Sequence, residues 1–299
     1  METFNSVLKA IRPRFLVLTP ACVFLGYSTA RICCSPIDTI DLFEVLMAGL
    51  LAHISVNALN EYMDFRSGLD LATSKTPFSG GSGALPANPS ASGWVLTVAV
   101  LSLVVTVGLG VQIIIRQGPA VLPLGLIGIG IIVSYTPWLN RLPILCLIAP
   151  GIAFGPLMVI GTHVALTGKY AFLPFYISMV PFFLVSNLLL LNQYPDLAAD
   201  KSVGRNHFPL AFGVRCATHV YGSFVLCAYA LVLLGISAGI LPRLSAFGLI
   251  PMIGGISAFI GVKRYSARTD RLLPHLGANV VAATFTPIVL GFSLINVWQ

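Results

Sequence analysis

The sequence predicts an all-α integral membrane protein: one polytopic bundle over residues 1–299, with about nine transmembrane helices around a central cavity that opens near the cytoplasmic face. Three observations predict it. The chain is 57% hydrophobic and only 9% charged, with mean hydropathy +0.91. An ordinary soluble domain is about 25% charged, so this alphabet cannot cover a water-exposed surface. Apolar stretches of about 20 residues, the length a helix needs to cross a bilayer, recur along the chain. Finally, the basic residues are distributed asymmetrically about those stretches.

Nine segments are expected, at about 15–34, 42–63, 92–115, 119–138, 143–166, 171–193, 213–236, 239–262 and 274–297. They are too long for barrel strands and do not alternate, so helices satisfy the backbone in lipid. The opening METFNSVLKAIRPRF is amphipathic and basic and runs straight into the first segment, with no cleavable signal peptide evident. Nine spans place the termini on opposite sides. Lys9, Arg12, Arg14, Arg66, Lys75, Arg141, Lys201, Arg205, Arg215, Lys263, Arg264, Arg268 and Arg271 then share the N-terminal side. Only Arg31, Arg116, Lys169 and Arg243 lie opposite. The positive-inside rule assigns the N-terminus and the loops after spans 2, 4, 6 and 8 to the cytoplasm, the cell inner membrane if the source is bacterial. The net charge of +7 follows from that topology, and no nucleic-acid partner is expected.

The remaining special residues have structural expectations. Cys22, Cys33, Cys34, Cys146, Cys216 and Cys227 show no C-x-x-C pairing and read as small buried packing residues, without disulfide, zinc or iron–sulfur roles. His53, His163 and His219 read as packing or hydrogen-bonding groups, while His207 is left open. Trp94, Trp138 and Trp298 read as interfacial anchors.

Half of the 10 Asp and Glu residues fall in two places. The first is NALNEYMDFRSGLD, residues 57–70; the second is NQYPDLAADKSVGR, residues 192–205. Both contain Asn-x-x-x-Asp, as Asn60/Asp64 and Asn192/Asp196, and the second continues to Asp200. A spacing of four advances about 40° around a helix, so each pair is expected on one face. The clusters sit at matching ends of spans 2 and 6, as a diverged duplication would place them, and can face each other across a pocket. Asp64, Asp70, Asp196 and Asp200 would repel there and are costly near a membrane. Their oxygens, with those of Asn60 and Asn192, are hard ligands suited to magnesium, which readily takes phosphate oxygens as further ligands. Two such ions would bridge the acids to a diphosphate, with Lys75, Arg141, Lys201 and Arg205 as candidate cations for the phosphates. The Gly/Ser/Pro-rich loop 72–90 follows the first cluster directly and suits a phosphate-approaching backbone or a lid.

At these residues the chain resembles the UbiA superfamily of intramembrane prenyltransferases. Asn60-x-x-x-Asp64 with Asp70, and Asn192-x-x-x-Asp196-x-x-x-Asp200, are similar to the family's two Asp-rich motifs. Arg12-Pro13, Tyr135-Thr136-x-Pro (or its near variants) and Gly155-Pro156 extend the likeness over nearly the whole chain. The run from Asn57 to Asp70, followed by TPFSGGSG at 76–83, is most similar to the naphthoate type, which acts in menaquinone synthesis. Glu61 stands where Asp is more usual, and the segment after Tyr135 lacks the family's frequent Arg-Gly-x-Gly-Glu run. The resemblance implies transfer of an isoprenoid chain from its diphosphate to an aromatic acceptor through an allylic carbocation, with two Mg2+ ions bridging to the diphosphate. Its partners would be a prenyl diphosphate, an aromatic acceptor and the bilayer. Arg12, Asn57, Glu61 and Tyr135 are candidates for catalysis or acceptor orientation. The acceptor stays open among dihydroxynaphthoate, hydroxybenzoate, homogentisate, a porphyrin, and glycerol or sugar phosphates. A cation-coupled transporter is the alternative from another class, since repeated helices with intramembrane acids also mark transporters.

Overall fold

A computed structural model describes residues 2–33, 36–73 and 75–296. Cys34, Ser74 of the loop and Trp298 lie outside the described residues. Among the described residues there is no strand. The helices are α1 (Glu2–Ala10), α2 (Leu18–Cys33), α3 (Thr39–Ser67), α4 (Leu69–Ala72), α5 (Ala84–Ala87), α6 (Ser92–Gln117) and α7 (Leu122–Ser134). They continue as α8 (Pro143–Ile152), a π-helical stretch Ala153–Ile160, α9 (Gly161–Thr167), α10 (Phe172–Asn192), α11 (Leu197–Ser202), α12 (Phe208–Ser237), α13 (Met252–Tyr265) and α14 (Thr269–Ile295).

Each expected apolar segment contains helix among the described residues, and seven helical runs, one made of α8, the π stretch and α9 and another of a 3₁₀ stretch (Arg243–Leu249) with α13, are long and apolar enough to cross a bilayer. The other two, Leu18–Cys33 and Pro119–Ser134, are shorter. At about 1.5 Å per residue, 16 residues rise only about 24 Å. The long apolar helices identify an integral, multi-pass membrane protein.

Neighbouring helices close a ring. α3 packs on α6, α6 and α3 on α7, α7 on the π segment, α10 on α8 and the π segment, α10 on α12, α13 on α14, and α14 back on α2. Glycines permit the closest approaches: a Cβ at Gly155 would stand 2.6 Å from the Ser178 carbonyl oxygen, and one at Gly26 would stand 2.6 Å from that of Val159. The largest apolar core belongs to α2, α10, α12, α13 and α14. Polar pairs pin its layers, including Tyr221 Oη donating to Asn279 Oδ1 at 2.9 Å and Ser245 with Ser293 at 2.8 Å. The N-terminal half is built differently. There α2, α3, α6, α7, the π segment and α10 surround a cavity of about 500 Å³. Pro150 precedes the π stretch and Pro156 lies within it, and its Phe154, Leu157 and Met158 line that cavity.

The outer surface corrects one expectation. Cys22 and Cys146 are buried, but Cys33, Cys216 and Cys227 are exposed. A lipid-facing surface accepts apolar side chains as readily as a core does, so apolar context does not imply burial. His53 and His163 are buried and hydrogen-bonded to Thr19 and Thr29, each at 3.0 Å. His219 is exposed. Trp94 and Trp138 are exposed near helix ends.

Candidate active site

The two acidic clusters meet at one end of the cavity, and the chain reaches them by different routes. α3 runs unbroken through Asn60, Glu61 and Asp64 to Ser67. Gly68, at φ 80°, turns the chain so that α4 carries Asp70 back as a buried residue. A side chain is disfavoured in that left-handed conformation, which suits glycine. The second cluster departs from the expected single helical face. α10 ends at Asn192, residues 193–196 form turns, and Asp196 then stands at the N-terminus of the short α11, which carries Asp200.

Arg205 joins the clusters. Its guanidinium pairs with Asp64 Oδ1 from the first and, at 2.9 Å, with Asp200 Oδ1 from the second. His207 Nε2 shares a 3.0 Å hydrogen bond with the other Asp200 oxygen. Burial works against the Arg205 charge, and the two carboxylates more than offset it. The sequence pattern left His207 open, and only its seven-residue separation from Asp200 hinted at this contact.

The loop after α4 is drawn across both clusters. Gly80 N–H donates to Asp196 Oδ2 at 2.8 Å. Gly81, at φ 69°, lies so close to Asp70 that a Cβ there would stand 2.5 Å from its Oδ1. Glu61, fully buried, is the anchor: it accepts from the Ser82 hydroxyl and, at 3.0–3.1 Å, from the Ser82 N–H. It also pairs at 3.0 Å with Arg12, which donates to Asn60 Oδ1 as well. Arg12 adopts φ 52°, unusual for a residue with a side chain. Asn57 donates to the Ile11 carbonyl at 3.0 Å. Glu61, Arg12 and Asn57 therefore tie the N-terminal segment and the loop to α3.

Burial pushes Asp70 up to about 7, helped by the negative charges of Glu61 and Asp64. Burial likewise pushes Asp196 up to about 6; the Gly80 N–H opposes the shift and Asp200 adds to it.

Arg12, Asn57, Asn60, Asp64, Asp70, Tyr135, Asn192, Asp196, Asp200 and Arg205 all line the cavity. Lys75, Arg141 and Lys201 are exposed and do not line it. Lys75 instead reaches the Gly83 carbonyl at 3.3 Å.

Does this site fit a divalent cation? Among the described residues, no three acidic, His or Cys side chains are already gathered as a ligand set. Arg205 occupies the space between Asp64 and Asp200 that such a set would share. Magnesium does not need an all-protein cage, since it keeps waters and takes one or two carboxylates plus phosphate oxygens. Asp70 Oδ2 and Asp196 Oδ1 are buried without a hydrogen-bond partner. One unpaired, hard oxygen on each cluster is the donor chemistry a magnesium–diphosphate group uses, so the residues fit it.

Known proteins show the same arrangement of helices. A UbiA homologue from Archaeoglobus fulgidus, bound to DMAPP and Mg2+, superposes with a TM-score of 0.65 at 17% identity over 98% of this chain and 99% of its own. A digeranylgeranylglyceryl phosphate synthase structure also gives 0.65, at 16% identity over 99% and 100%. A 1,4-dihydroxy-2-naphthoate octaprenyltransferase of Bacillus subtilis (strain 168) is 28% identical over 233 residues, 76% of this chain and 73% of that relative. The UbiA prenyltransferase family matches residues 16–293. The chain belongs to the UbiA prenyltransferase family and is an enzyme that transfers prenyl groups.

Proposed function

We propose that this enzyme transfers an isoprenoid chain from a prenyl diphosphate to an aromatic acceptor, 1,4-dihydroxy-2-naphthoate or a related quinone precursor, in a magnesium-dependent reaction through an allylic carbocation. The observation that carries this reading is the Arg205 bridge between Asp64 and Asp200 at the end of an apolar cavity. One carboxylate from each motif pairs with the same cation, and the apolar space behind them suits a hydrocarbon tail.

Asn60, Asp64 and Asp70 on one side, and Asn192, Asp196 and Asp200 on the other, would hold two magnesium ions. When bound, magnesium supplies Lewis-acid neutralisation of the leaving diphosphate. Arg205, the cavity-lining member of the four candidate phosphate cations, binds the diphosphate. The Gly80–Ser82 backbone, drawn over the acids, acts as a lid that keeps water from quenching the cation. Tyr135 lends its ring to the cationic carbon. The allylic carbon–oxygen bond breaks first, its electron pair leaving with the diphosphate, and an electron-rich acceptor carbon then bonds to the allylic cation. The ring proton passes to the released diphosphate or to a carboxylate of the clusters. The charge asymmetry of the loops supports a cytoplasmic position for this end of the bundle and for the N-terminus.

The naphthoate acceptor is supported by the name of the Bacillus subtilis relative and by the motif run from Asn57 to Gly83. The test is an assay of the purified protein in lipid, with magnesium, a series of prenyl diphosphates and a panel of acceptors. Prenylated dihydroxynaphthoate is expected, and its formation should stop on chelation. A product formed only with hydroxybenzoate, homogentisate, a porphyrin, or a glycerol or sugar phosphate would replace the acceptor. Solute flux in proteoliposomes without any prenyl product would sink the reading.

A further inference from the structure

The rim of the cavity carries a second group of polar side chains that the diphosphate chemistry leaves unused. It lies on the segment between α7 and α8 and at the end of α10. Asn140 is only 7% exposed, and its Oδ1 has no hydrogen-bond partner. Gln193 Oε1 is likewise buried without one. Both residues line the cavity. Gln193 Nε2 approaches Cys146 Sγ at 3.4 Å, and Tyr135 Oη lies 4.0 Å from the same sulfur.

This group is fastened to both acidic clusters. Asn60 Nδ2 donates to Thr136 Oγ1 at 3.3 Å, joining the segment to the first motif. The N–H of Asn206, beside Arg205, donates to the Asn140 carbonyl at 3.2 Å, joining it to the second. A prenyl carbon about to leave its diphosphate is bonded to it, so the attacking ring must lie beside Arg205. The rim held by these two bonds is beside Arg205.

The unpaired atoms also state what they would bind. Buried carbonyl oxygens without partners are costly, and only a donor or a cation relieves them. An anion does not, which separates them from the diphosphate. A divalent cation would go first to the neighbouring carboxylates, which carry full charge. Turning the Gln193 amide over would let its oxygen accept from the Cys146 thiol but would leave its NH2 unpaired in the same place, so a polar partner is needed either way. A hydroxyl donor remains.

We propose that Asn140 and Gln193 form the acceptor subsite, their side-chain oxygens receiving the hydroxyl protons of a phenolic ring laid against Tyr135. The inference rests on the prenyl-transfer reading and deepens it. A ring with two hydroxyls satisfies both oxygens. A phosphate-bearing acceptor would need a further cation: Lys75, Arg141 and Lys201 lie outside the cavity lining, and Arg12, which lines it, is already paired with Glu61 and Asn60.

The test uses the full chain in nanodiscs with magnesium and a prenyl diphosphate. Asn140→Ala and the near-isosteric Gln193→Met are compared with wild type on 1,4-dihydroxy-2-naphthoate and on its analogues lacking one hydroxyl. Each variant is expected to lower kcat/KM for the dihydroxy acceptor by about 10- to 100-fold, the scale on which a lost buried hydrogen bond discriminates. Each should also lose most of the preference for the hydroxyl it served, while the donor KM and the magnesium midpoint stay unchanged. Magnesium-dependent binding of an unreactive prenyl thiodiphosphate verifies that the variants are folded. Hydroxyl preference unchanged in both folded variants, or an effect on donor or magnesium alone, overturns the subsite and leaves the enzyme's function standing. No transfer by wild type to any aromatic acceptor overturns both.

Discussion

The two acidic motifs look alike in sequence and are built differently. In the first, one long helix carries Asn60, Glu61 and Asp64, and the break at Gly68 comes between these and Asp70. In the second, the break comes before the acids: α10 stops at Asn192, and Asp196 begins a new short helix. The first is therefore fixed by the fold, with Glu61 holding Arg12 and the loop against it. The second is held by side-chain pairs, Asp200 with Arg205 and His207, and by the Gly80 N–H on Asp196. A half carried mainly on one continuous helix faces a half built from a turn and a short helix. Such a site can close on a charged group from one side while the other keeps the frame.

The expected outcomes that would break or sharpen this contrast run from large to small. Asp64→Asn and Asp196→Asn should each lower kcat/KM by at least about 100-fold, the scale of losing one electrostatic contact to a developing charge. The double variant should fall little further, because the residues act as one unit. Steady-state kinetics would show it, and full additivity would mean two independent sites.

Glu61→Ala should cost about 2 kcal/mol of stability, less than a fully buried pair because Arg12 is 26% exposed. The loop at 75–83 should become protease-sensitive, whereas Asp200→Ala should leave that loop protected. Limited proteolysis with a thermal melt separates the two. Gly81→Ala should cost about 1–2 kcal/mol, since φ 69° is strained for alanine and its Cβ meets Asp70. A melting curve like that of wild type would show that the loop is not pressed on the first cluster.

The smallest effect is a pH dependence. Asp70 at about 7 and Asp196 at about 6 lie above the unfolded carboxylate value near 4. The folded state thus binds more protons between these values. The stability this contributes is full below about pH 4 and is lost as pH rises through 6 to 7. Magnesium needs the deprotonated acids, so its stabilisation should be larger at pH 8 than at pH 5.5. Thermal melts with and without magnesium at both pH values would check the sign.

Much of this was legible in the sequence because membranes impose simple rules. Apolar length located each helical segment, and the motif acids lie together at one end of the cavity. Periodicity could not reveal that α10 stops at Asn192, because Gln193, Tyr194 and Pro195 carry no decisive breaker for a membrane helix, where proline is tolerated. Nor could composition separate exposed Cys216 and Cys227 from buried Cys22. Cations near the motifs all looked alike as phosphate ligands, yet only Arg205 among the four lines the cavity. Glu61, Ser82, Asn140 and Gln193 gain their places from contacts across the bundle, which local spacing does not encode.

The central claim is that both motifs hold one magnesium–diphosphate group. Calorimetric binding of a prenyl thiodiphosphate to wild type, Asp64→Asn and Asp196→Asn, each with and without magnesium, tests it most directly. Magnesium-dependent binding in wild type that is lost in both single variants is the expected result. Undiminished magnesium-dependent binding in either variant would contradict the account.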